Sequence, residues 1–396
     1  MTAIETRPGV RARMVALFLG AAAMSLAMVT ASTMGTLVAA DSLGPGLSGL
    51  PSAAGVVGTA AGAALLTAVM QRRGRRAGLV TGYAIGAAGG ALAAVSASLI
   101  VLLVAGMFLL GVGNAAAQLS RYAAADLRPD RPGTALAAVV WAGTVGAVGG
   151  PLLLAPVSNA ATSAGFSAGT GVFLVAALAV IVSAAAALSL PRATPASRPS
   201  TTTAPLPPMR TALAAMLIAQ IVMAAIMTAA PLDIHAHGHG LPTIGMVVSS
   251  HTFGMFALAP LTGLLLDRFG ARRVIAAGLA LLVLSCAATV LASSAGGLVL
   301  AANLFLLGYG WNLAYVGGSA LITTTLPPLS QLHAQGAIES RIWSASALST
   351  LLSTLIFTLG GYSLLSLISL ALLTIPAFLM LWAGSATDRS RSAGPR

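Results

Sequence analysis

Twelve runs of mostly apolar residues, separated by short polar segments, constrain the fold of this chain more than any other feature of its sequence. A helix needs roughly 17 to 25 such residues to cross the hydrocarbon core of a bilayer. We therefore expect an all-α membrane protein with 12 transmembrane helices, numbered here as predicted helices 1 to 12. The runs are Met14–Val38, Leu47–Met70, Ala77–Ala97, Leu99–Leu119, Gly133–Val157, Phe166–Leu190, Ala212–Ala230, Ile244–Leu266, Val274–Ala292, Leu298–Leu321, Ile342–Leu359 and Tyr362–Trp382.

The basic residues predict how these helices are oriented. All 20 are arginines, and they fall only before predicted helix 1, in the even-numbered connections and after predicted helix 12. Because arginine is enriched in cytoplasmic loops, we expect both termini in the cytoplasm and the protein in a bacterial plasma (inner) membrane. A wrong helix count would scatter the arginines over both faces, so their distribution also supports the count.

Composition excludes several other classes of protein. The chain has 57% hydrophobic and only 7% charged residues, whereas soluble domains carry about 25% charged residues. A formal charge of +12 invites a nucleic-acid interpretation, but the arginines are not interleaved with aromatic residues in one patch. The single cysteine, Cys286, excludes an internal disulfide. We find no nucleophile–base set or phosphate loop, so we expect neither an enzyme nor a cofactor.

The two halves of the chain repeat each other. The stretch Phe108-Leu-Leu-Gly-Val-Gly113 reappears as Phe305-Leu-Leu-Gly-Tyr-Gly310, and the arginine-rich turn after predicted helix 2 reappears after predicted helix 8. We predict two pseudo-symmetric six-helix bundles: residues 1–190, then a Pro-, Ser- and Thr-rich cytoplasmic linker over 191–210, then a second bundle and a cytoplasmic tail over 211–396. Such duplicated bundles suit alternating access, with a site between the halves near the bilayer midplane.

The turn after predicted helix 8 resembles a known loop signature. Its sequence, Gly263-Leu-Leu-Leu-Asp267-Arg268-Phe-Gly270-Ala-Arg272-Arg273, resembles that of the major facilitator superfamily of secondary transporters. The resemblance implies a gating role for these residues. The equivalent first-half turn keeps Gly74 and Arg75 but has Thr67 and Gln71 where the signature has Gly and Asp. The predicted gating residues are therefore Gly74, Arg75, Gly263, Asp267, Arg268, Gly270, Arg272 and Arg273.

A second resemblance lies in predicted helix 5. Gly146-x-x-x-Gly150-Pro151 resembles the core of the signature of drug–proton antiporters in the same superfamily, and we add these three residues to the gating set. Ordinary close packing of helices at glycine is the alternative interpretation. Met107 stands in predicted helix 4 where that group usually carries an arginine implicated in proton transfer.

Polar side chains on predicted helices 4 and 7 are expected to line the substrate site. Asn114 and Gln118 share a face with Arg121 in predicted helix 4; an interhelical hydrogen bond is the alternative use of Asn114. Gln220 lies on a methionine-rich face of predicted helix 7, which either accepts substrates of several shapes or is ordinary core. We also include Trp141 of predicted helix 5 among the substrate-binding residues.

Predicted helices 8 and 10 supply the remaining candidates for substrate binding. Trp311, Asn312 and Tyr315 share one face of predicted helix 10, and aromatic surface beside an amide suits an apolar or amphipathic solute. Packing or a membrane-interface belt is the alternative role of these rings. His251 in predicted helix 8 is either a binding residue and proton carrier or a satisfied polar residue between helices.

Protons are the expected driving ion, although the eight acidic residues lie near the ends of predicted helices. Asp233 and His251 rank first as proton-coupling residues, followed by Asp41 and Glu339. Glu339 begins predicted helix 11 near Arg341, where it could instead complement the helix dipole. The run His235-x-His237-x-His239 is expected to be a solvated loop with no metal.

These features predict a monomeric secondary transporter that exports small apolar or amphipathic compounds in exchange for protons. One alternative is a proton-coupled importer of a small metabolite. Another is a membrane receptor that binds its ligand without moving it. The expected partners are a small-molecule substrate, protons and the lipid bilayer, with no nucleic acid.

Overall fold

The computed structural model describes residues 7–43, 47, 49–96, 99–192, 207–236, 241–291, 297–326 and 328–392. The described chain is almost entirely helical, as predicted. Its helices are α1 (Arg7–Leu43), α2 (Leu50–Arg73), α3 (Arg75–Ala94), α4 (Ile100–Leu127), α5 (Pro132–Trp141), α6 (Gly143–Ser163), α7 (Ala168–Leu188), α8 (Pro207–Ala236), α9 (Leu241–Phe256), α10 (Ala259–Phe269), α11 (Ala271–Leu291), α12 (Gly297–Thr325) and α13 (Pro328–Ser392).

Two compact units are formed by these helices. Unit 1 comprises Met1–Ser200 and Pro327–Ala347, and unit 2 comprises Thr201–Leu326 and Leu348–Arg396. The early part of α13 therefore belongs to unit 1 and the rest to unit 2. Most of the predicted linker, residues 193–206, lies outside the described residues, and the predicted boundaries 1–190 and 211–396 remain predictions.

Helix α4 is the centre of unit 1 and packs against α1, α2, α3 and α5. It approaches α2 so closely that glycine is required at the contact. A Cβ atom on Gly58 would overlap the backbone oxygen of Phe108, and one on Gly111 would overlap the backbone oxygen of Gly55. Backbone-to-backbone contact of this kind is what small residues allow in membrane helices.

Helix α12 has the same place in unit 2, where it packs against α8, α9, α10 and α11. A Cβ atom on Gly254 would overlap the backbone oxygen of Phe305, and one on Gly308 would overlap that of His251. These contacts repeat those of α2 with α4 at equivalent positions of the second half. The predicted internal repeat is thus confirmed at the level of single backbone contacts.

Predicted helices 5 and 8 are each interrupted, which the sequence analysis did not anticipate. Between α5 and α6 the helical hydrogen bonds tighten at Ala142, whose N–H donates to the oxygen of Val139, three residues earlier, at 3.2 Å. The φ and ψ angles of Ala142 stay helical at −56° and −26°. The second interruption lies between Phe256 and Ala259, where Pro260 follows in the first turn of α10 and cannot donate a backbone N–H. Each predicted helix is therefore divided into two helical segments, α5 and α6 in one case and α9 and α10 in the other.

Helix α13 contains predicted helices 11 and 12 joined by a kink. Gly360 (φ −158°, ψ 20°) and Gly361 (φ 66°, ψ −165°) leave the helical conformation at the predicted boundary between Leu359 and Tyr362. Within the described residues, eleven helical stretches are long and apolar enough to cross a membrane. The last of them, Leu355–Met380, spans the kink and overlaps the end of the predicted run Ile342–Leu359, so that run has no separate stretch of its own. Large apolar side chains are also widely exposed, Val101 and Leu359 by 74% each, as expected of a lipid-facing surface.

The backbone conformation at the two arginine-rich turns requires glycine. Gly74, between α2 and α3, has φ 85° and ψ 163°, and Gly270, between α10 and α11, has φ 81° and ψ 158°. This region is essentially restricted to glycine. The two turns therefore share one backbone geometry even though their sequences differ.

Gly270→Ala is expected to destabilise unit 2 by about 1–3 kcal/mol, because alanine is strained in this backbone conformation. Steric overlap would not contribute, since no atom lies within 4 Å of the added Cβ. The thermal unfolding midpoint of the purified protein measures the effect. Gly9→Ala is the control: Gly9 is helical with equally open space, so its midpoint should not fall.

Candidate functional site

Helix α4 turns its predicted polar face inward. The Asn114 side-chain amide donates to the Thr59 hydroxyl on α2 at 3.2 Å, so this side chain makes the interhelical hydrogen bond that was its alternative role. Gln118 is half-buried. Its backbone oxygen and its Oε1 accept hydrogen bonds from Arg121 at 2.8 and 3.3 Å. Asn114 thus joins α4 to α2, and Gln118 helps to position the Arg121 guanidinium.

Arg121 is the centre of a buried charged cluster in unit 1. Its side chain is 1% exposed, and its Nη2 donates to Glu339 Oε1 at 2.5 Å. Tyr122, fully buried, donates its hydroxyl to the same carboxylate oxygen at 3.1 Å and accepts from Arg121 Nη2 at 3.2 Å. Glu339 is fully buried as well. We call Arg121, Tyr122 and Glu339 the charged cluster.

The structure corrects the predicted setting of Glu339. Helix α13 begins at Pro328, so Glu339 lies about three turns inside it and not at its first turn. The helix dipole acts only within the first turn, so the dipole interpretation is wrong. The partner is Arg121 from α4 and not Arg341, which is exposed. Tyr122 was missed by sequence reasoning, because a tyrosine beside an arginine carries no motif.

Arg75 of the first-half turn ties three elements of unit 1 together. Its Nε lies 2.6 Å from Asp126 Oδ2 near the end of α4. Its Nη1 donates to Gln335 Oε1 in the early part of α13 at 3.0 Å. Predicted as a gating residue from resemblance, Arg75 here connects the turn with two helices at once.

The two first-half positions that depart from the loop signature also contact α13. Gln71 Nε2 lies 3.4 Å from His333 Nδ1. A Cβ atom on Gly336 would overlap the Thr67 hydroxyl, so α13 and α2 touch at this point. The two residues of α2 that depart from the signature are therefore also residues that contact the early part of α13.

Unit 2 contains a cluster of aromatic residues around one amide. The rings of Trp311 and Tyr315 stack with centroids 4.6 Å apart and an interplanar angle of 17°. Phe256 meets Trp311 edge-on at 6.1 Å. Trp311 Nε1 donates to Gln220 Oε1 on α8 at 2.8 Å. Three of the predicted substrate-binding residues, Gln220, Trp311 and Tyr315, are thus brought together; with Phe256 we call them the aromatic cluster.

Asn312 and His251 are both buried in unit 2, but they differ in how many of their side-chain polar atoms have a hydrogen-bond partner. Asn312 accepts from the Thr262 hydroxyl and donates to the Met255 backbone oxygen, both at 2.6 Å. His251 Nδ1 lies 3.0 Å from the Leu304 backbone oxygen. Because a carbonyl oxygen only accepts, Nδ1 carries the hydrogen, and Nε2 has no partner within the described part of the chain.

The remaining predicted site residues lie elsewhere. Trp141 is 43% exposed at the end of α5, with its ring 5.4 Å from that of Phe18. Asp41 is exposed in the last turn of α1, whereas Asp233 is buried in α8. His235 belongs to α8 and not to a loop, because that helix extends to Ala236. His237 and His239 lie outside the described residues.

Comparison with known proteins identifies the family. The family model of the Major Facilitator Superfamily matches residues 211–395. The uncharacterized MFS-type transporter YddS of Bacillus subtilis (strain 168) is 32% identical over 370 residues, which cover 87% of this chain and 85% of that protein. The chain belongs to the Major Facilitator Superfamily. The predicted resemblance is confirmed, and the chain is a multi-pass membrane protein of a family of secondary transporters.

Two further similarities agree with membership of the superfamily. The riboflavin transporter RfnT of Brucella anthropi is 26% identical over 378 residues, 92% of this chain and 93% of that protein. The human organic anion transporter MFSD10 (TETRAN) has the same fold, with a TM-score of 0.76 and 17% identity over 95% of this chain and 100% of that one. Members of the superfamily transport small molecules and are not enzymes, so the receptor alternative is set aside.

The second-half loop signature spans the end of α10 and the start of α11. The turn joins α10 to α11 at Gly270, and Gly263 is buried one and a half turns before the end of α10. The charged members of the signature are exposed, and the Arg268 guanidinium lies 5.2 Å from the Phe269 ring centroid. They are Asp267, Arg268, Arg272 and Arg273.

The glycine stretch that resembles the antiporter signature lies in α6 and packs on α1. A Cβ atom on Gly146 would overlap Ser25, and one on Gly150 would lie 2.6 Å from Val29 Cγ1. Pro151 follows inside the same helix. Close packing, the alternative interpretation, describes this contact; a gating role for the stretch remains a prediction.

Proposed function

We propose that this superfamily member is a monomeric, proton-coupled exporter of small apolar or amphipathic compounds in the bacterial inner membrane, with both termini in the cytoplasm. The charged cluster carries the proposal. A carboxylate and a guanidinium are buried together, and one carboxylate oxygen receives hydrogen bonds from both Arg121 and Tyr122. Because membrane-embedded ionisable pairs are expensive, they mark functional sites such as proton relays.

Proton binding at Glu339 has a direct mechanical consequence in this arrangement. While the carboxyl is ionised, its attraction to Arg121 holds the early part of α13 against α4. A protonated carboxyl leaves the guanidinium without a counter-charge, and a buried unpaired charge is strongly unfavourable. The contact then separates or rehydrates, so the protonation state of Glu339 selects between two arrangements of unit 1.

Glu339 takes precedence over the candidates that ranked first from sequence. His251 and Asp233 are buried in unit 2 and stay in the set of proton-coupling candidates. Glu339 differs because its partner, Arg121, is a buried charge on another helix, so protonation of Glu339 removes the counter-charge from an interhelical ion pair. Asp41 is exposed at a helix end and ranks below these three.

The aromatic cluster is the proposed substrate surface of unit 2. Stacked rings with one oriented amide favour a flat apolar or amphipathic compound. Met216 and Met223 of α8 are buried on the same helix as Gln220, and flexible thioethers tolerate different shapes. The resemblance of the glycine stretch in α6 to drug–proton antiporters supports export as the direction.

Membrane vesicles of opposite orientation test the direction of transport. The protein is overproduced, and everted and right-side-out vesicles are each given ethidium as a flat amphipathic probe. Everted vesicles with an acidic lumen are expected to accumulate ethidium and to lose it when the pH gradient is collapsed. Accumulation only by right-side-out vesicles would contradict the export proposal.

Import of a flat heteroaromatic metabolite is the second candidate function. Its support is the similarity to the riboflavin transporter RfnT together with the stacked rings of Trp311 and Tyr315. Proton-driven uptake of riboflavin by right-side-out vesicles would favour this candidate over export. Uptake equal to that of vesicles without the protein would remove it.

Gln220→Leu is expected to raise the half-saturation concentration of the transported probe about tenfold. It leaves the buried Trp311 N–H without an acceptor, which costs about 1–3 kcal/mol and lets the ring rotate away from its stacked position. Transport is assayed against probe concentration in the vesicles described above. Thr228→Val on the same helix is the control, since in the described part of the chain the Thr228 hydroxyl donates only to the Ala224 oxygen of its own helix. An unchanged half-saturation concentration for Gln220→Leu would remove the cluster from the binding site.

A further inference from the structure

The four arginines that flank the turn from α2 to α3 have different surroundings. Arg75 binds Asp126 and Gln335, as described above, and the Arg76 guanidinium donates to the Leu190 backbone oxygen at 3.3 Å. Arg72 and Arg73 are exposed, and neither makes a hydrogen bond or an ion pair with any residue that the structure describes. Two of the four guanidiniums are thus used within the protein, and two are available to a ligand.

Arg72 and Arg73 stand at one end of a surface groove of about 460 Å³ between α2 and α3. The floor of the groove is apolar, and Leu65, half-exposed, lies two turns along α2 from the arginines. Leu65, Val69 and Arg72 share one helix face, so the groove runs from apolar surface to charge along α2. Its lining residues are Leu65, Ala68, Val69, Arg72, Arg73 and Thr81.

We propose that this groove binds one anionic phospholipid, with the phosphate on Arg72 and Arg73 and an acyl chain along Leu65 and Val69. Guanidinium groups match phosphate oxygens through paired charge-assisted hydrogen bonds. The arginines end a membrane-spanning helix, which places them at headgroup depth, and the apolar floor lies toward the hydrocarbon. Basic pockets between membrane helices recognise anionic headgroups for this reason.

Control of topology alone does not account for the arrangement. A positive charge at a loop needs no groove and no apolar floor, and Arg192 and Arg210 are exposed around the connection from α7 to α8. What distinguishes Arg72 and Arg73 is that two guanidiniums with no partner among the described residues adjoin an apolar channel. A soluble phosphate compound would use the charge but not the channel, so the occupant is a lipid.

Native mass spectrometry of the delipidated full chain tests the proposal. Phosphatidylglycerol and phosphatidylcholine with identical acyl chains are added separately, and bound lipid is counted. Wild-type protein is expected to retain one phosphatidylglycerol in preference to phosphatidylcholine. The double variant Arg72→Gln, Arg73→Gln is expected to bind phosphatidylglycerol about 25-fold more weakly, since each arginine near an anionic surface contributes about fivefold.

Two further variants separate the headgroup from the channel. Arg192→Gln with Arg210→Gln removes the same charge from around the connection between α7 and α8 and should leave the retained lipid in place. Ala68→Trp fills the channel without changing charge and should weaken phosphatidylglycerol binding. Equal retention of phosphatidylglycerol by wild type and by the Arg72, Arg73 variant would overturn the proposal, as would equal affinity of the wild type for both lipids. Displacement of the lipid by glycerol phosphate alone would overturn the role of the channel.

Discussion

Glu339→Gln is expected to abolish proton-driven transport and to lower the stability of the protein by about 3–5 kcal/mol, the usual cost of removing one partner of a buried ion pair. Glutamine keeps the shape and can still accept from Tyr122, but it leaves the Arg121 charge uncompensated. Exchange of labelled for unlabelled probe, which needs no net proton movement, should persist. The thermal unfolding midpoint and the two transport modes measure these effects separately.

A double variant distinguishes coupling from structure. Arg121→Met with Glu339→Leu removes both charges and keeps apolar volume, so stability should return to near the wild-type value while proton-driven transport stays lost. Arg341→Gln alters an exposed arginine one half-turn from Glu339 and should change neither property. A double variant as unstable as Glu339→Gln would mean that the cluster acts through packing and not through charge.

Gly111→Ala and Gly308→Ala are expected to be among the most disruptive single-methyl changes in the two units. Each added Cβ would overlap a backbone oxygen of a neighbouring helix, at Gly55 and His251 respectively. Overpacking a core costs about 1–3 kcal/mol and occasionally more, and we expect the upper end because a backbone oxygen cannot rotate away. Folded yield and thermal midpoint of the purified variants measure the effect.

The internal repeat adds a second requirement to the glycine prediction. If the two halves repeat the same contact, both variants should lose comparable stability, and Gly49→Ala, where no atom lies within 4 Å of an added Cβ, should lose little. A variant that tolerates alanine at Gly111 while the Gly308 variant fails to fold would show that the equivalent contacts are not energetically equivalent.

These glycines also show what the sequence could predict. Gly111 and Gly308 occupy the same place in a repeated six-residue stretch, and the structure gives them the same contact. The all-α membrane class and the internal repeat could be predicted because lipid forces every span to satisfy its own backbone and to be apolar. The interruptions at Ala142 and just before Pro260 could not be, because apolar runs continue through both places.

Sequence alone could predict only part of the candidate site, for a physical reason. Residues that share a face of one helix can be found from spacing, as Trp311 and Tyr315 were. Arg121 and Glu339 lie 218 residues apart on different helices, so nothing local joins them. Glu339 was kept as a candidate only because acids are scarce in the chain, and its assignment to a helix start failed because α13 begins eleven residues earlier, at Pro328.

Infrared difference spectroscopy of the reconstituted protein, recorded between alkaline and acidic buffer without substrate, tests the central claim most directly. If Glu339 takes up the coupling proton, acidification should produce a carboxylic-acid C=O band in the wild type. That band should be missing from Glu339→Gln and retained in Asp41→Asn, whose carboxylate is exposed at a helix end. Identical carboxylic-acid bands in wild type and Glu339→Gln would contradict the account, because the proton would then bind elsewhere.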